Sequence, residues 1–241
     1  MFQAERKIIS VKRNSGILFL PDLHHPWADY QRLRKVYKLI KELKPTMVIC
    51  LGDARDFYAL SSFSKKADLI TPKGEFKRGT ERLNAMWSRI HGIVPKARLV
   101  SLSGNHEARL EKRVHEKLPE VSSLLEGPAK ALFNFKKVEV LYSHRAEIIL
   151  KHPIHGEITI VHGWSSRVGS HMAHFHTSTV HGHTHRAHVL YRGGRKTIWE
   201  MNCGCLVNEM SLPLSYGDTA TTGWVKAIGW LDDKGPRVIL I

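Results

Sequence analysis

The stretch Gly-Ile-Leu-Phe-Leu-Pro-Asp-Leu-His-His, residues 16–25, contains the pattern on which the whole fold depends. Its first part is a short apolar run, which predicts a fully buried strand. Its second part places Asp22 and His24 directly after that strand. In open parallel sheets, ligands bind outside the carboxyl ends of the strands. We therefore expect Asp22 and His24 to lie at a binding site at the end of a parallel strand.

The first hundred residues predict an alternation of strands and helices. An amphipathic helix is predicted over residues 29–44, and Pro45 cannot continue it. Residues 57–79 are polar and irregular, and Pro-Lys-Gly at 72–74 predicts a turn within them. The alternation implies a parallel sheet with covered faces. The other elements predicted in this half are strands at 46–51 and 97–102 and a helix at 80–93.

The second half of the chain contains short runs rich in β-branched residues. After a predicted helical segment at 107–135, which breaks at Gly127-Pro128, these runs predict strands of a second, mixed sheet. Two mixed sheets flanked by helices form a four-layer α-β-β-α sandwich of the α/β class. Because the chain has no linker, low-complexity tract or repeat, we expect a single domain over residues 1–241. The predicted strands are 137–142, 146–151, 157–162, 178–181, 187–191, 196–201, 223–231 and 237–241, and a helix is predicted at 165–176.

The chain is strongly basic, because 37 lysines and arginines against 22 aspartates and glutamates give a formal net charge of +15. Such a charge attracts polyanions, so nucleic acid is a candidate partner. The alternative is that the charge serves solubility, because the basic residues are dispersed and no aromatic-and-basic nucleic-acid motif stands out. The sequence leaves both interpretations open.

The composition also bears on the compartment. The apolar runs are far too short to span a bilayer, and the first residues lack the apolar segment of a secretory signal. Three cysteines, an odd and low number, argue against a disulfide framework. We therefore expect a cytoplasmic protein without membrane association, and the sequence does not indicate its oligomeric state.

Five short segments each place polar side chains directly after a predicted strand. Together they supply two carboxylates, one amide and several imidazoles, a ligand set that suits a pair of divalent metal ions holding a phosphate ester. The segments are Asp22-Leu-His24, Gly52-Asp-Ala-Arg-Asp56, Gly104-Asn-His-Glu107, Val161-His-Gly163 and Gly182-His-Thr-His185.

In this order the segments resemble the signature of the calcineurin-like metallophosphoesterase superfamily, D-x-H, G-D-x-x-D, G-N-H-E, H-G and G-H-x-H. The match spans residues 22–185, and the set of five is far more specific than any one block. The resemblance implies a dinuclear metal site in which Asp53 bridges the two ions. It assigns Asp22, His24 and His185 to one ion and Asn105, His162 and His183 to the other.

The resemblance also implies a chemistry. Imidazole ligands favour manganese, iron, zinc or nickel over magnesium and calcium, and we expect manganese first among them. In the family, a solvent hydroxide between the ions attacks phosphorus in line. His106 is implied as the general acid, with Asp56 orienting its ring. His25, which follows His24, is a candidate substrate contact.

Two positions depart from the best-known branch of the superfamily. Its serine/threonine phosphatases carry arginines that clamp the phosphate where this chain has Phe57 and Ser103. A diester carries one negative charge fewer than a monoester, so its binding would depend less on these arginines. Arg55, Arg109 and Arg186 are candidate replacements, and we expect Arg109 and Arg186, which directly follow motif segments, to bind substrate.

The sequence therefore predicts a dinuclear-metal phosphoesterase that hydrolyses phosphodiester bonds, with nucleic acid as a candidate substrate and a nuclease role resting on charge. One alternative is a phosphomonoesterase acting on phosphoproteins or nucleotides. The alternative of another class is a catalytically silent scaffold with the same fold. A scaffold predicts eroded ligands, whereas every ligand position and His106 are intact here.

Overall fold

The computed structural model describes residues 5–61, 70–117, 137–208, 210 and 223–241. Within these ranges the chain forms twelve strands, four α-helices and one 3-10 turn, Tyr58–Leu60. The helices are α1 (Tyr30–Leu43), α2 (Pro72–Ile93), α3 (Ala108–Lys117) and α4 (Ser170–Phe175). The strands are β1 (Arg6–Ser10), β2 (Ile17–Leu20), β3 (Met47–Cys50), β4 (Arg98–Leu102), β5 (Val138–Leu141), β6 (Glu147–His152), β7 (Gly156–Ile160), β8 (Ser178–His181), β9 (Ala187–Arg192), β10 (Ile198–Cys203), β11 (Ala227–Asp232) and β12 (Gly235–Leu240).

The strands form two six-stranded mixed sheets. The first sheet has the order β12-β11-β2-β3-β4-β5, and the second has the order β1-β6-β7-β8-β10-β9. Strands β2 to β5 pair in parallel, whereas β11 runs antiparallel to β2. In the second sheet, β7 and β8 are parallel, and β9 is antiparallel to β10. The predicted α/β class with two mixed sheets is confirmed.

The layers follow from the two-residue period of the buried strands. Phe19 and Ile49 of the first sheet belong to the core shared with Ile148 and Met201 of the second sheet. The intervening residue Leu18 belongs to a separate core beneath α1 and α2. On the other side, α4 contacts β8 and β10. Helices therefore lie on the outer side of each sheet, α1 and α2 on the first and the short α4 on the second, in the predicted four-layer order.

Helix α1 confirms the amphipathic helix predicted over residues 29–44. The Asp29 side chain accepts hydrogen bonds from the backbone N–H groups of Gln31 and Arg32, which caps the first turn. The helix ends at Lys44, whose φ of 47° is left-handed, immediately before Pro45. Its apolar stripe lies buried against the sheet, where each large side chain contributes about 1.5–3 kcal/mol of burial.

The prediction of a turn at residues 72–74 is wrong, because these residues form the first turn of α2. The Thr71 hydroxyl oxygen accepts from the backbone N–H of Gly74 at 3.1 Å and so caps the helix. Proline is tolerated in a first turn, where its missing N–H would have no helical partner. Glu75 is buried and accepts from the backbone N–H groups of Tyr58 and Ala59. This long-range contact holds the helix start in place.

Other differences concern which sheet each strand joins. The late strands β5, β11 and β12 complete the first sheet, not the second, and β1, which the sequence did not predict, lies at the edge of the second. Sheet membership is decided by pairing between distant segments, which a local pattern does not encode. The predicted helix at 165–176 is shorter, and the break at 127–128 lies outside the described residues. None of the helices in the described ranges has the length and apolar character needed to cross a membrane.

Candidate metal centre

Both sheets direct polar side chains to one region. Asp22, Asp53 and Asn105 follow the parallel strands β2, β3 and β4, while His162 and His183 follow β7 and β8, which are parallel to each other. Because the carboxyl ends of parallel strands share one edge, residues from five segments meet there.

The first group of side chains consists of Asp22, His24 and His185. The Nε2 atoms of His24 and His185 are 3.2 Å apart, and the Asp22 Oδ1 atom lies 3.4 Å from the His185 Nε2 atom. Asp22 Oδ1 and His24 Nε2 are separated by 4.0 Å. All three residues are buried. Their ligand atoms therefore surround one small volume.

The second group consists of Asp53, Asn105, His162 and His183. The Asn105 Oδ1 atom lies 2.9 Å from both His162 Nε2 and His183 Nδ1. The Asp53 Oδ2 atom lies 3.3 Å from His162 Nε2. The same Asp53 oxygen is 3.9 Å from the His24 Nε2 atom of the first group. Asp53 thus lies between the two groups.

The hydrogen positions in the second group leave lone pairs facing each other. The His162 Nδ1 atom lies 2.9 Å from the carbonyl oxygen of Leu51, which can only accept, so Nδ1 carries the hydrogen. The Nε2 atom of a neutral His162 then presents a lone pair to the Asp53 carboxylate. This arrangement needs either a proton or a cation. Burial opposes a charge on His162, but Asp53 outweighs it and raises the pKa of His162 to about 9.

The first group repeats this feature. The His24 Nδ1 atom lies 2.8 Å from the Asp56 Oδ1 atom, so it carries the hydrogen, and His24 Nε2 presents its lone pair to His185. Burial and the neighbouring His106 lower the pKa of His24, which keeps its ring neutral. Orientation of a ligand histidine by a carboxylate on its other nitrogen is typical of metal sites. Both groups therefore have the donor set and the lone-pair geometry that fit divalent cations.

The backbone at these positions is held in conformations that are rare for residues with side chains. Asp22, His24, Asp53, His183 and His185 all have a φ between 38° and 67°, in the left-handed region. Each such residue costs of the order of 1 kcal/mol or more, and surrounding structure must enforce it. The clustering of this strain at one site favours a functional role for the site.

Two motif glycines permit the close approach of the loops. A Cβ atom at Gly104 would lie 2.2 Å from the Asp53 Oδ1 atom, and one at Gly182 would lie 2.3 Å from the Asp22 Oδ2 atom. Any side chain at these positions would displace a carboxylate. The glycines of the motifs are therefore required by contact with the carboxylates of distant segments.

Glu107 holds the loops together, a role that sequence reasoning missed. Its buried carboxylate accepts from the backbone N–H groups of Asp53 at 3.0 Å, Arg55 at 2.8 Å and Gly104 at 2.8 Å. Burial and the nearby Asp53 raise the pKa of Glu107. Its place in the Gly-Asn-His-Glu segment was the available signal, but its partners are revealed only by the fold.

His106 and Asp56 are in contact. The His106 Nδ1 atom lies 2.9 Å from the Asp56 Oδ1 atom, and the His106 Nε2 atom lies 3.7 Å from the Asp53 Oδ2 atom. Burial opposes a charge on His106, but the two carboxylates outweigh it and raise its pKa. Burial likewise opposes charge on Asp56, but His106 and His24 lower its pKa.

The candidate substrate residues differ in their placement. Arg109 donates to the Asp56 carbonyl oxygen at 2.9 Å, and its Nη2 atom lies 3.1 Å from His106 Nε2, so it lies at the site. Arg186 is exposed. His25 is buried, with its Nδ1 atom 3.2 Å from the Tyr30 hydroxyl, and this burial leaves little of it for a substrate to contact. Arg55 is also buried, and its guanidinium stacks on Phe57 and donates to the Phe76 carbonyl.

A cavity of about 530 Å³ opens beside the second group. Asn105, His162 and His183 form part of its wall, together with Arg145 and Trp164. A second cavity, of about 600 Å³, is lined by residues of α2 and the segment 26–30 and by none of the seven predicted metal ligands. Of these two cavities, the first is the one whose wall includes predicted metal ligands.

Two phage proteins are similar to this chain in sequence. The chain is 28% identical over 240 residues to the Gene 54 protein of Mycobacterium phage L5, and 27% identical over 240 residues to that of Mycobacterium phage D29. Each match covers 92% of this chain and 90% of the relative.

Three solved structures are similar in fold over most of their length. YfcE, a phosphoesterase from E. coli, has 19% identity and a TM-score of 0.43, covering 93% of this chain and 92% of its own. Vps29 from Entamoeba histolytica has 13% identity and a TM-score of 0.43, covering 94% and 98%. Vacuolar protein sorting 29 from Cryptosporidium parvum has 14% identity and a TM-score of 0.45, covering 95% and 98%. Likenesses at this level do not bear on function.

The family profile described as calcineurin-like phosphoesterase matches residues 16–239, which include every segment of the candidate site. This family binds a dinuclear divalent metal centre, and membership supports a hydrolase acting on phosphoesters. Because the match extends over nearly the whole sequence, the chain belongs to the calcineurin-like phosphoesterase family.

Proposed function

We propose that this chain hydrolyses phosphodiester bonds with two divalent transition-metal ions, and that nucleic acid is among its substrates. The observation that carries the proposal is the second group, where His162 Nε2 lies 3.3 Å from Asp53 Oδ2 and 2.9 Å from Asn105 Oδ1. Convergent lone pairs of this kind are satisfied by a cation. The imidazole content favours a transition metal, with manganese as the first ion to test.

Seven residues would hold the two ions. Asp22, His24 and His185 would take one ion, and Asn105, His162 and His183 would take the other. Asp53 would serve both ions, because its Oδ2 atom lies within 4 Å of a histidine nitrogen in each group. The backbone N–H of His183 donates to Asp22 Oδ2 at 2.9 Å, which fixes that carboxylate relative to the second group. When bound, the ions supply Lewis-acid activation of water and of the phosphoryl group.

The remaining residues handle protons and charge. His106 donates a proton to the leaving oxygen from Nε2, because Asp56 engages Nδ1. Asp53 and Asp56 together favour the protonated ring from which that transfer starts. The Arg109 Nη2 atom lies 3.1 Å from His106 Nε2, so its guanidinium is placed to donate to a phosphoryl oxygen beside that nitrogen.

A diester is favoured over a monoester by the shortage of fixed cations. At the two positions where phosphoprotein phosphatases carry clamping arginines, Phe57 and Ser103 are both buried. Arg55 is stacked on Phe57 and turned toward the Phe76 carbonyl. Of the three arginines named as candidate replacements, Arg109 is the one that contacts His106. With Arg109 beside His106 and neither clamping arginine present, the site suits the single negative charge of a diester better than the two charges of a monoester.

The test is a substrate panel on protein reconstituted separately with manganese, iron, zinc and nickel. It compares an aryl phosphodiester with the matching monoester, cyclic nucleotides, and single- and double-stranded DNA and RNA. We expect the diester and at least one nucleic acid to be hydrolysed fastest. Faster turnover of the monoester would make the protein a phosphomonoesterase. Full metal loading without turnover of any substrate would favour the scaffold.

A further inference from the structure

Trp164 is a large side chain exposed beside the reactive centre. It directly follows His162 and Gly163, and 52% of its surface is accessible. It lines the same cavity as His162 and His183. A half-exposed tryptophan loses much of the free energy that full burial would supply. Exposed apolar surface of this kind marks a place where another molecule binds.

The structure holds this exposed residue in a fixed position. The Trp164 backbone N–H donates to His171 Nε2 at 3.1 Å, and the indole ring meets the His171 ring at 4.5 Å between centroids. His174 and Phe175 pack on the indole at 5.3 and 5.6 Å, both edge to face. Since all three partners belong to α4, that helix positions the indole ring.

A buried carboxylate in turn anchors α4. Glu200 is fully buried and accepts from the backbone N–H groups of Gly169 at 2.7 Å, His171 at 3.1 Å and Met172 at 3.0 Å. Burial and the neighbouring His181 lower the pKa of His171 to about 3, so the ring stays neutral and its Nε2 can accept from Trp164. The support of Trp164 therefore extends from β10 through α4 to the wall of the cavity.

The cavity wall also carries a basic side chain suited to a phosphate. Arg145 is exposed and lines the cavity, whereas Glu147, the acidic residue in its wall, is ion-paired with Arg6 at 2.8 Å. The cavity of about 530 Å³ lies within the range of small-molecule sites. A rigid aromatic surface beside basic charge is the combination by which proteins bind single-stranded nucleic acid.

We propose that Trp164 stacks on the nucleobase adjacent to the scissile phosphodiester, so that the cavity beside the second group is a nucleoside subsite. The proposal rests on the proposed diesterase function and specifies its substrate. Stacking on an aromatic side chain tolerates every base, because each base has a π face. The subsite therefore selects for the presence of a base, not for its identity.

The experiment compares a thymidine dinucleotide with two abasic analogues, each lacking one base. For Trp164→Ala we expect kcat/KM on the dinucleotide to fall roughly tenfold to a hundredfold, mainly through KM. On the analogue that lacks the stacked base, the variant and the unaltered protein should perform equally. Trp164→Phe should restore most of the loss. Tyr191→Ala, which removes an exposed aromatic ring outside the cavity wall, is the control and should change neither substrate.

An equal loss of kcat/KM on the dinucleotide and both analogues would assign Trp164 a structural role and overturn the proposal. An unchanged kcat/KM on all three substrates would also overturn it. A binding measurement separates this result from failure of the proposed function. Calorimetry on the metal-loaded protein compares thymidine 5′-phosphate with deoxyribose 5-phosphate. Tighter binding of the thymidine compound by the unaltered protein, and loss of this preference in Trp164→Ala, would support the subsite even if no diester is cleaved. Absence of that preference overturns it.

Discussion

The Nε2 atom of His162 lies 3.3 Å from the Oδ2 atom of Asp53, and in the neutral ring neither atom carries a hydrogen. The Leu51 carbonyl oxygen fixes this tautomer from the other side of the ring. The pair is therefore stable only when something positive lies between the two atoms. A bound metal ion would satisfy that requirement for the pair and for Asn105 at the same time.

Replacing the bridging carboxylate tests this relationship directly. Asp53→Asn keeps the shape of the side chain but removes the charge that serves both groups. We expect bound metal to fall below two ions for each chain and kcat to fall by about a hundredfold or more. Metal content by mass spectrometry and the rate on an aryl diester check this. Asp29→Asn, which keeps a helix cap, is the matched control and should retain metal and rate. Full metal and full rate in Asp53→Asn would remove Asp53 from the bridging position.

Removing the proposed acid should separate chemistry from metal binding. His106→Ala leaves all seven proposed ligands in place, so we expect unchanged metal content. The rate should fall by about 10²–10⁴-fold for poor leaving groups, which need a proton most. A series of diesters with phenols of increasing pKa measures this dependence. The same loss for every phenol would argue against proton donation by His106.

Glu107→Gln tests the carboxylate that joins the two loops. The carboxylate accepts three backbone N–H groups, whereas an amide has one acceptor oxygen and turns an NH₂ toward the remaining donors. We expect metal affinity to fall about 10–100-fold, because the backbone of Asp53 and Gly104 loses its support. Competition with a chelator measures the affinity. Unchanged affinity would show that these loops are held without Glu107.

Glu200 predicts a pH-dependent contribution to stability. Burial opposes its charge, but hydrogen bonds from His181, His188 and the start of α4 lower its pKa below the ordinary value of 4.5. A carboxyl whose pKa is lowered on folding stabilises the protein above its unfolded pKa and loses that contribution as pH falls. At pH 7, Glu200→Gln should lower the free energy of unfolding by about 1–3 kcal/mol.

The difference in free energy of unfolding between Glu200→Gln and the unaltered protein should narrow progressively below pH 4.5, because only the carboxylate titrates. Urea unfolding at pH 7 and at pH 4 measures it. Glu157→Gln changes an exposed glutamate on β7 and is the control, expected to alter stability little at either pH. A difference that stays constant with pH would mean that Glu200 acts without its charge.

The net charge of +15 predicts the salt response of nucleic-acid substrates. Each phosphate contacted by a lysine or arginine releases counterions, so affinity for an oligonucleotide should fall steeply between about 50 and 200 mM salt. The KM for a small aryl diester that carries no charge besides its phosphodiester should change little over the same range. KM values for the two substrates at increasing salt provide the comparison. A flat response for the oligonucleotide would remove nucleic acid as a substrate.

The sequence by itself determined the elements around the site. The run of apolar residues before Asp22, the spacing in α1 and the alternation of strand and helix are local, because side-chain period and capping act over a few residues. These signals predicted the α/β sandwich and placed Asp22, Asp53 and Asn105 at strand ends. The ordered set of five segments predicted the family that the profile confirms.

Only the tertiary structure decided which distant groups meet. The assignment of β5 and β11 to the first sheet, the three N–H groups on Glu107 and the support of Trp164 by His171 depend on contacts between segments far apart in the chain. Local propensity does not encode such contacts, because pairing and burial are settled by the packing of the whole chain. The sequence could therefore predict a site at the strand ends, whereas its geometry and the cavity beside it required the fold.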